Sequence, residues 1–289
     1  MTLAVITLVV IVATLFVFVR WLEPRFAFFP TSGETTTPSE FGVAFEPVTI
    51  DTADEERLRV WHLHADTARL QPSRSDDAPA LSEHVLKRVE GRVVYFHGNG
   101  GNLSVWAPIL AGIARHGYEV IAVDYRGYGA STGQPSELGL YRDVDAVLGQ
   151  AFASRATSLP LVYWGRSLGT AMAAYASTRK RPDALILESG FPDARSLLRS
   201  SPPLALLAVF STYRFPTLDR ANAGGAPVLV MHGTADSVIP FEQGRALYDG
   251  LSGKKTFVEI AGGDHNDARP PDERAYWQAV DDFIAAAPR

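Results

Sequence analysis

The chain has 289 residues, a formal net charge of −5, 46% hydrophobic and 20% charged residues, and no cysteine. This suits one large α/β domain with a short appendage, or two small domains, and argues against disorder over most of the length. The acidic balance gives no footprint for nucleic acid. The lack of cysteine excludes disulfides, thiolate catalysis and cysteine-based zinc sites.

The first element is LAVITLVVIVATLFVFV (Leu3–Val19), apolar on every side, with Arg20 the first ionisable side chain. With Trp21 and Leu22 it reaches about 20 residues, which at roughly 1.5 Å each crosses a bilayer core of roughly 30 Å. A buried core helix would be amphipathic. A cleaved signal peptide would carry a basic start, a shorter apolar core and a small-residue cleavage site. Here no Lys or Arg precedes the run, and WLEPRFAFFP follows it. Residues 1–25 are therefore read as a retained membrane anchor, with Trp21, Phe26, Phe28 and Phe29 at the interface. Arg20 and Arg25 after the helix, with nothing basic before it, weigh weakly towards a cytoplasmic folded domain. Residues 26–40, which include TSGETTTPSE, read as a linker, and 41–289 as the folded domain.

Beyond the linker, β-like runs alternate with helix-like runs. Strands are expected at Pro47–Ile50, Leu58–His64, Arg92–Phe96, Glu119–Asp124, Leu159–Trp164, Ala184–Glu188, Val228–His232 and Thr256–Ile260. Unbroken apolar stretches such as VVYF, VIAV, LVYW, LILE and VLVM suit strands buried on both faces of a parallel sheet. Helices are expected near Leu103–His116, Glu137–Ser154, Leu168–Thr178, Phe241–Leu251 and Asp272–Ala287. The alternation predicts an open, mostly parallel sheet flanked by helices. Thr67–Glu90 and Ser196–Ala223 exceed ordinary connection lengths. The first is polar and reads as a surface excursion. The second carries SPPLALLAVFSTYRFP and reads as a candidate lid over 196–223.

The strongest local signal is Gly165-Arg166-Ser167-Leu168-Gly169, between the strand LVYW and the helical run LGTAMAAYAS. A Gly-x-Ser-x-Gly at a strand-to-helix turn is a nucleophile elbow. The serine sits in a strained conformation, and small neighbours let strand and helix approach. A serine hydroxyl needs a general base. In this arrangement an acid and then a histidine should follow at later strand ends. Asp236, after the strand VLVM, and His265, after the strand TFVEI, meet that order. His265 would take the serine proton, and Asp236 would orient the imidazole. Glu188 and Asp264 are rival acids. His62 and His64 share one strand face and read as surface residues rather than metal ligands.

The loop His97-Gly98-Asn99-Gly100 follows the strand VVYF. It can supply one backbone donor for a tetrahedral oxyanion, assigned to Asn99 with Gly100 next to it; the other donor is Leu168 N–H. Asn102-Leu103-Ser104 is formally a glycosylation sequon but opens a helix here, so Asn102 reads as a cap.

The motifs FHGNGGNLS, DYRGYGAS (Asp124–Ser131), GRSLG, HGTADSVIP and GGDHND, in this order, resemble the membrane-anchored α/β-hydrolase-domain serine hydrolases related to the fission-yeast bud-emergence-type hydrolases. The resemblance runs from about Phe26 to Phe283. It implies an α/β-hydrolase fold with a mostly parallel eight-stranded sheet plus an N-terminal transmembrane helix. It also implies Ser167, Asp236 and His265 as triad, and ester or thioester hydrolysis on lipid-like or acylated substrates. Asp264 departs from the pattern, since glycine commonly precedes the histidine. Arg126, in the Asp124–Ser131 turn, is expected to pair with a carboxylate.

Leu204, Leu207 and Phe210 are the expected substrate-binding residues, either lining an acyl pocket or dipping into the lipid interface, with an ordinary packed helix over Pro202–Pro216 as the alternative. A serine peptidase shares the triad. A membrane-tethered scaffold with a silent hydrolase fold is the alternative of another class. No phosphate loop, dinucleotide fingerprint or metal-ligand spacing is present, so no cofactor and no metal is implied.

Overall fold

The computed structural model describes residues 2–65, 89–151, 159–201, 205, 207–267 and 270–287. The main sheet has eight strands: β1 (Phe45–Asp51), β2 (Arg57–Leu63), β3 (Gly91–Phe96), β4 (Tyr118–Val123), β5 (Leu161–Arg166), β6 (Ala184–Glu188), β7 (Val228–Gly233) and β8 (Lys255–Ile260). Their order is β1-β2-β4-β3-β5-β6-β7-β8. β2 is antiparallel to both neighbours, and every other pairing is parallel. The expected eight-stranded, mostly parallel sheet is present. The largest shift is in β5, which starts at Leu161 rather than Leu159 and runs on to Arg166. Pro160 has no N–H to donate to the ladder.

Every residue of β3, β6 and β7 is buried, which is why these strands read as unbroken apolar runs. Alternate side chains feed two cores. Val94, Phe96, Tyr163 and Leu187 face one, with α3 (Glu137–Ala151), α4 (Gly169–Arg179) and α8 (Phe241–Gly250). Val93, Tyr95, Trp164 and Ile186 face the other, with α2 (Leu103–Arg115) and α9 (Glu273–Ala285). From β3 the chain goes to β4 on one side and then to β5 on the other. The strand order therefore reverses between β3 and β5, and their carboxyl ends flank the crevice where open α/β sheets bind ligands.

Among its described residues, the segment from 190 to 225 has three short helices, α5 (Ala194–Ser200), α6 (Leu207–Phe210) and α7 (Thr217–Gly224), where the sequence left a lid and a packed helix open. α7 packs on α4, with Thr217 and Ala221 buried, so the expected lid over 196–223 is too wide at its end. A helix of eight residues has too few turns to display a period. The excursion expected at Thr67–Glu90 lies outside the described residues except for 89 and 90.

The N-terminal helix α1 (Thr2–Ala27) has a span Leu3–Arg25, with an 18-residue window of mean hydropathy 2.7, long and apolar enough to cross a membrane. Residues 26–40, read from sequence as a linker, run along the domain. Phe29–Pro30 pairs in parallel with Gly100–Gly101, and Thr35 and Thr36 N–H both donate to Ser104 Oγ. Asn102 caps α2 as expected, accepting from Ser104 N–H at 2.9 Å. Arg126 pairs with Asp54 and Asp143, the carboxylate partners foreseen for it.

On β4, Glu119 bonds His62 and, at 2.8 Å, Arg92 Nε. The His62 bond, with Arg92 adding to it against the effect of burial, lowers the Glu119 carboxyl from 4.5 to about 2. A carboxyl depressed on folding stabilises above its unfolded pKa, and the gain fades as pH falls towards the folded value. Glu119→Gln should therefore lower the melting temperature at pH 7, with the gap to wild type closing between pH 4.5 and 2. Thermal unfolding followed by circular dichroism across that range checks this.

Candidate active site

β5 ends at Arg166, α4 starts at Gly169, and Ser167 between them has φ 55°, in the left-handed region that a serine seldom adopts. The surroundings hold it there. Ser167 N–H donates to Glu188 O at 2.9 Å, and Ser167 O accepts from Thr170 N–H at 3.0 Å and Thr170 Oγ1 at 2.6 Å. The two flanking glycines are required by space. A Cβ on Gly165 would lie 2.2 Å from Gly169 O, and one on Gly169 would lie 1.9 Å from Phe96 O. The start of α4 thus rests on the end of β3 as well as on β5.

His265 follows β8, and its Nε2 lies 3.0 Å from Ser167 Oγ. Its Nδ1 lies 2.8 Å from Asp236 Oδ2, on the loop after β7. The other Asp236 oxygen accepts from Val238 N–H at 3.0 Å and Ile239 N–H at 2.7 Å. Burial works to raise the Asp236 carboxyl. The bonds from His232 and His265, the charge of His265 and the Ile239 N–H outweigh it and hold the group well below the usual carboxylate range. The three residues expected to act together are therefore brought into one hydrogen-bonded line. Ser167 and His265 are both buried, at 6% and 8% exposed.

The rival acids serve elsewhere. Glu188 accepts from Trp164 Nε1 and Tyr276 OH, both at 3.0 Å. Asp264 accepts from Ser237 N–H at 2.7 Å, and its own N–H donates to Asp267. The departure from glycine at 264 thus ties the histidine loop to the Asp236 loop.

Two residues were missed. Arg166 Nη2 donates to His265 O at 2.8 Å and Asp267 O at 2.9 Å, and Nη1 lies 3.8 Å from Glu188. One buried guanidinium thus fastens the loop carrying His265 to the strand carrying Ser167. The only sequence signal was its place beside the serine. His232 donates to Asp236 at 3.4 Å or to Ile239 O at 3.0 Å, steadying the acid; its signal was the four-residue spacing in HGTAD.

Leu168 is buried at the start of α4. Asn99 lies on the loop after β3, which packs against the serine: a Cβ on Gly98 would sit 3.3 Å from Ser167 Cβ. The Asn99 carbonyl accepts from Phe29 N–H at 3.0 Å and Tyr128 OH at 2.9 Å, and Asn99 Nδ2 donates to Ala27 O at 3.3 Å. The bonds to the carbonyl fix the plane of the Asn99–Gly100 peptide, and the side-chain bond ties the loop to the end of α1. Of the expected substrate-binding residues, Leu204 lies outside the described residues, as does the side chain of Leu207. Phe210 is half-buried at the end of α6, which packs on α5 and α1.

Residues 91–215 match the family model described as the alpha/beta hydrolase fold. An uncharacterised Mycobacterium tuberculosis protein, Rv2307c, is 28% identical over 287 residues, covering 98% of this chain and 94% of that one. The lysophosphatidylserine lipase ABHD12 of Danio rerio is 36% identical over 54% of this chain and 46% of its own. The human alpha/beta hydrolase domain-containing protein 17C is 32% identical over 61% and 53%. The matches to these last two span about half their length. Among solved structures, the Pyrococcus furiosus esterase Pf2001 superposes with a TM-score of 0.67 at 16% identity, over 90% of this chain and 98% of the esterase. The chain has the α/β-hydrolase fold.

Gly169→Ala should destabilise by several kcal/mol, because neither Phe96 O nor the helix backbone can yield; chemical denaturation measures it. Arg166→Lys keeps a cation for Glu188 but cannot span both carbonyls. It should fold but leave the loop of His265 and Asp267 less firmly held, with faster amide exchange there than in wild type. Hydrogen–deuterium exchange read by mass spectrometry would detect this.

Proposed function

We propose that this protein is a serine hydrolase that cleaves carboxylic ester or thioester bonds of lipid-like or acylated substrates and is held at a membrane by α1. The observation that carries the reading is the hydrogen-bonded line from Ser167 Oγ through His265 to Asp236, with the serine at the left-handed turn into α4.

In this mechanism Ser167 Oγ attacks the acyl carbon as its proton passes to His265 Nε2. The tetrahedral intermediate collapses to an acyl-enzyme, and His265 returns the proton to the leaving alcohol or thiol. Water then attacks the acyl group by the same route and frees the acid. Asp236, held as a carboxylate, keeps Nδ1 protonated and stabilises the imidazolium. The developing oxyanion is assigned to the backbone N–H groups of Leu168 and Asn99. Bonds to the Asn99 carbonyl from Phe29 and Tyr128 hold the following Asn99–Gly100 peptide, and the contact of Gly98 O with His97 Nδ1 at 2.7 Å holds the peptide that carries Asn99 N–H.

Acyl specificity is assigned to the segment bearing Leu204, Leu207 and Phe210. The lipase named among the relatives and the resemblance to bud-emergence-type hydrolases both favour a lipid-like substrate. Arg20 and Arg25 at the end of α1 favour a cytoplasmic catalytic domain.

A fluorophosphonate probe should label the membrane-embedded wild type and leave Ser167→Ala and His265→Ala unlabelled. Ester turnover should fall about 10⁶-fold in either variant and about 10⁴-fold in Asp236→Asn. Labelling that survives Ser167→Ala would sink the proposal. A folded wild type that refuses the probe would favour the scaffold reading.

A further inference from the structure

We infer that α6, which packs on α1, lies in the lipid surface beside it. The inference rests on the reading of α1 as a membrane span.

Along α1, residues 3–18 are all exposed, and Val19 is the first buried residue, at 8%. α6 packs against this helix. The chain just after α6 is tied to the next turn of α1. The Glu23 carboxylate accepts from Ser211 Oγ, Thr212 Oγ1, Thr212 N–H and Tyr213 N–H, and Arg20 Nη1 donates to Thr212 Oγ1 at 2.7 Å. Residues 211–213 therefore stand level with Arg20–Glu23. α6 directly precedes them and packs on α1, where Val19, one residue before Arg20, is buried.

The chemistry of α6 fits that depth. It reads Leu-Ala-Val-Phe, without a polar side chain. Ala208 is 1% exposed, whereas Val209, next to it, is 68% exposed. In water that valine gains nothing; against acyl chains it is buried. The neighbouring groups mark the headgroup level. Trp21 is exposed with the Arg25 guanidinium 4.1 Å over its ring, and Arg20 lies one residue before it. Glu23 would be costly so close to hydrocarbon, but its carboxylate is covered by those four donors. The occupant is a bilayer, because the exposed face of α6 is continuous with the exposed apolar face of α1.

The placement also bears on the site. Three residues after Pro24, Ala27 O accepts from Asn99, and Phe29 N–H holds the Asn99 carbonyl. The helix end that would set the bilayer level thus also supports the loop against Ser167. On this reading the lipid surface lies near the loop that flanks Ser167.

The chain has no cysteine, so single-cysteine variants of the full protein can carry an environment-sensitive nitrobenzoxadiazole label. Three positions are compared in phosphatidylcholine vesicles: Val209→Cys, Val9→Cys on α1, and Ser252→Cys in the exposed loop before β8, at the opposite, amino end of the strands. Nitroxide lipids labelled near the top of the acyl chain should quench the label at 209 about twofold, and deeply labelled lipids the label at 9, with neither quenching at 252. Quenching at 9 with position 209 behaving like 252 would overturn the inference and leave the anchor standing. Failure to quench at 9 would overturn the anchor reading, and the inference with it.

Discussion

The left-handed backbone at Ser167 is the constraint around which the site is built. A strand running straight into a helix would carry the serine past the crevice; the reversal at φ 55° turns its hydroxyl out at the sheet's edge. That reversal requires β5 and α4 to meet almost backbone to backbone, which only glycine at 165 and 169 permits. Because Gly169 also abuts Phe96 O, the same contact fixes β3 relative to Ser167. The loop with Gly98 and Asn99 leaves β3 immediately after that point. One close approach therefore sets both the hydroxyl proposed to attack and the loop proposed to receive the oxyanion.

The base and the acid reach this junction from two other strands, and their loops are bonded to each other before they meet the serine. Thr234 N–H donates to Ile260 O, Ala235 N–H to Gly263 O and Ser237 N–H to Asp264. Arg166 then draws the pair onto β5. It is a buried cation, tolerable because its guanidinium spends two donors on carbonyls and faces Glu188, itself held by Trp164 and Tyr276. The order of strands matters here. Serine, acid and histidine lie far apart along the chain, and a parallel sheet brings all their loops to one edge.

The N-terminal helix is bound into this arrangement. Its last turn and the residues after it bond the Asn99 loop on one side and the 211–213 segment on the other. The element that looks in sequence like a detachable anchor with a polar leash is, at its end, a support for the 211–213 segment and for the loop beside Ser167.

Much of this was legible in the amino-acid order because the signals are local. Strands buried on both faces must be continuously apolar, so β3, β5, β6 and β7 were readable as runs. Gly-x-Ser-x-Gly after such a run announces the turn, since only glycines permit the approach, and Asp236 and His265 each follow a strand. The long apolar opening gave α1 by length alone. What stayed hidden depends on contacts between distant segments. The docking of residues 26–40, the short helices α5 to α7, the clamp of Arg166 on the histidine loop and the hold of Glu23 on 211–213 leave no period and no motif, because each partner lies tens or hundreds of positions away. Sequence by itself determined the fold, the long apolar helix α1 and the three residues of the line, through patterns that repeat within a turn or a strand. Only the tertiary structure decided how that helix meets the site and which buried charges hold its loops, because those are set by the geometry of packed surfaces rather than by neighbours in the chain.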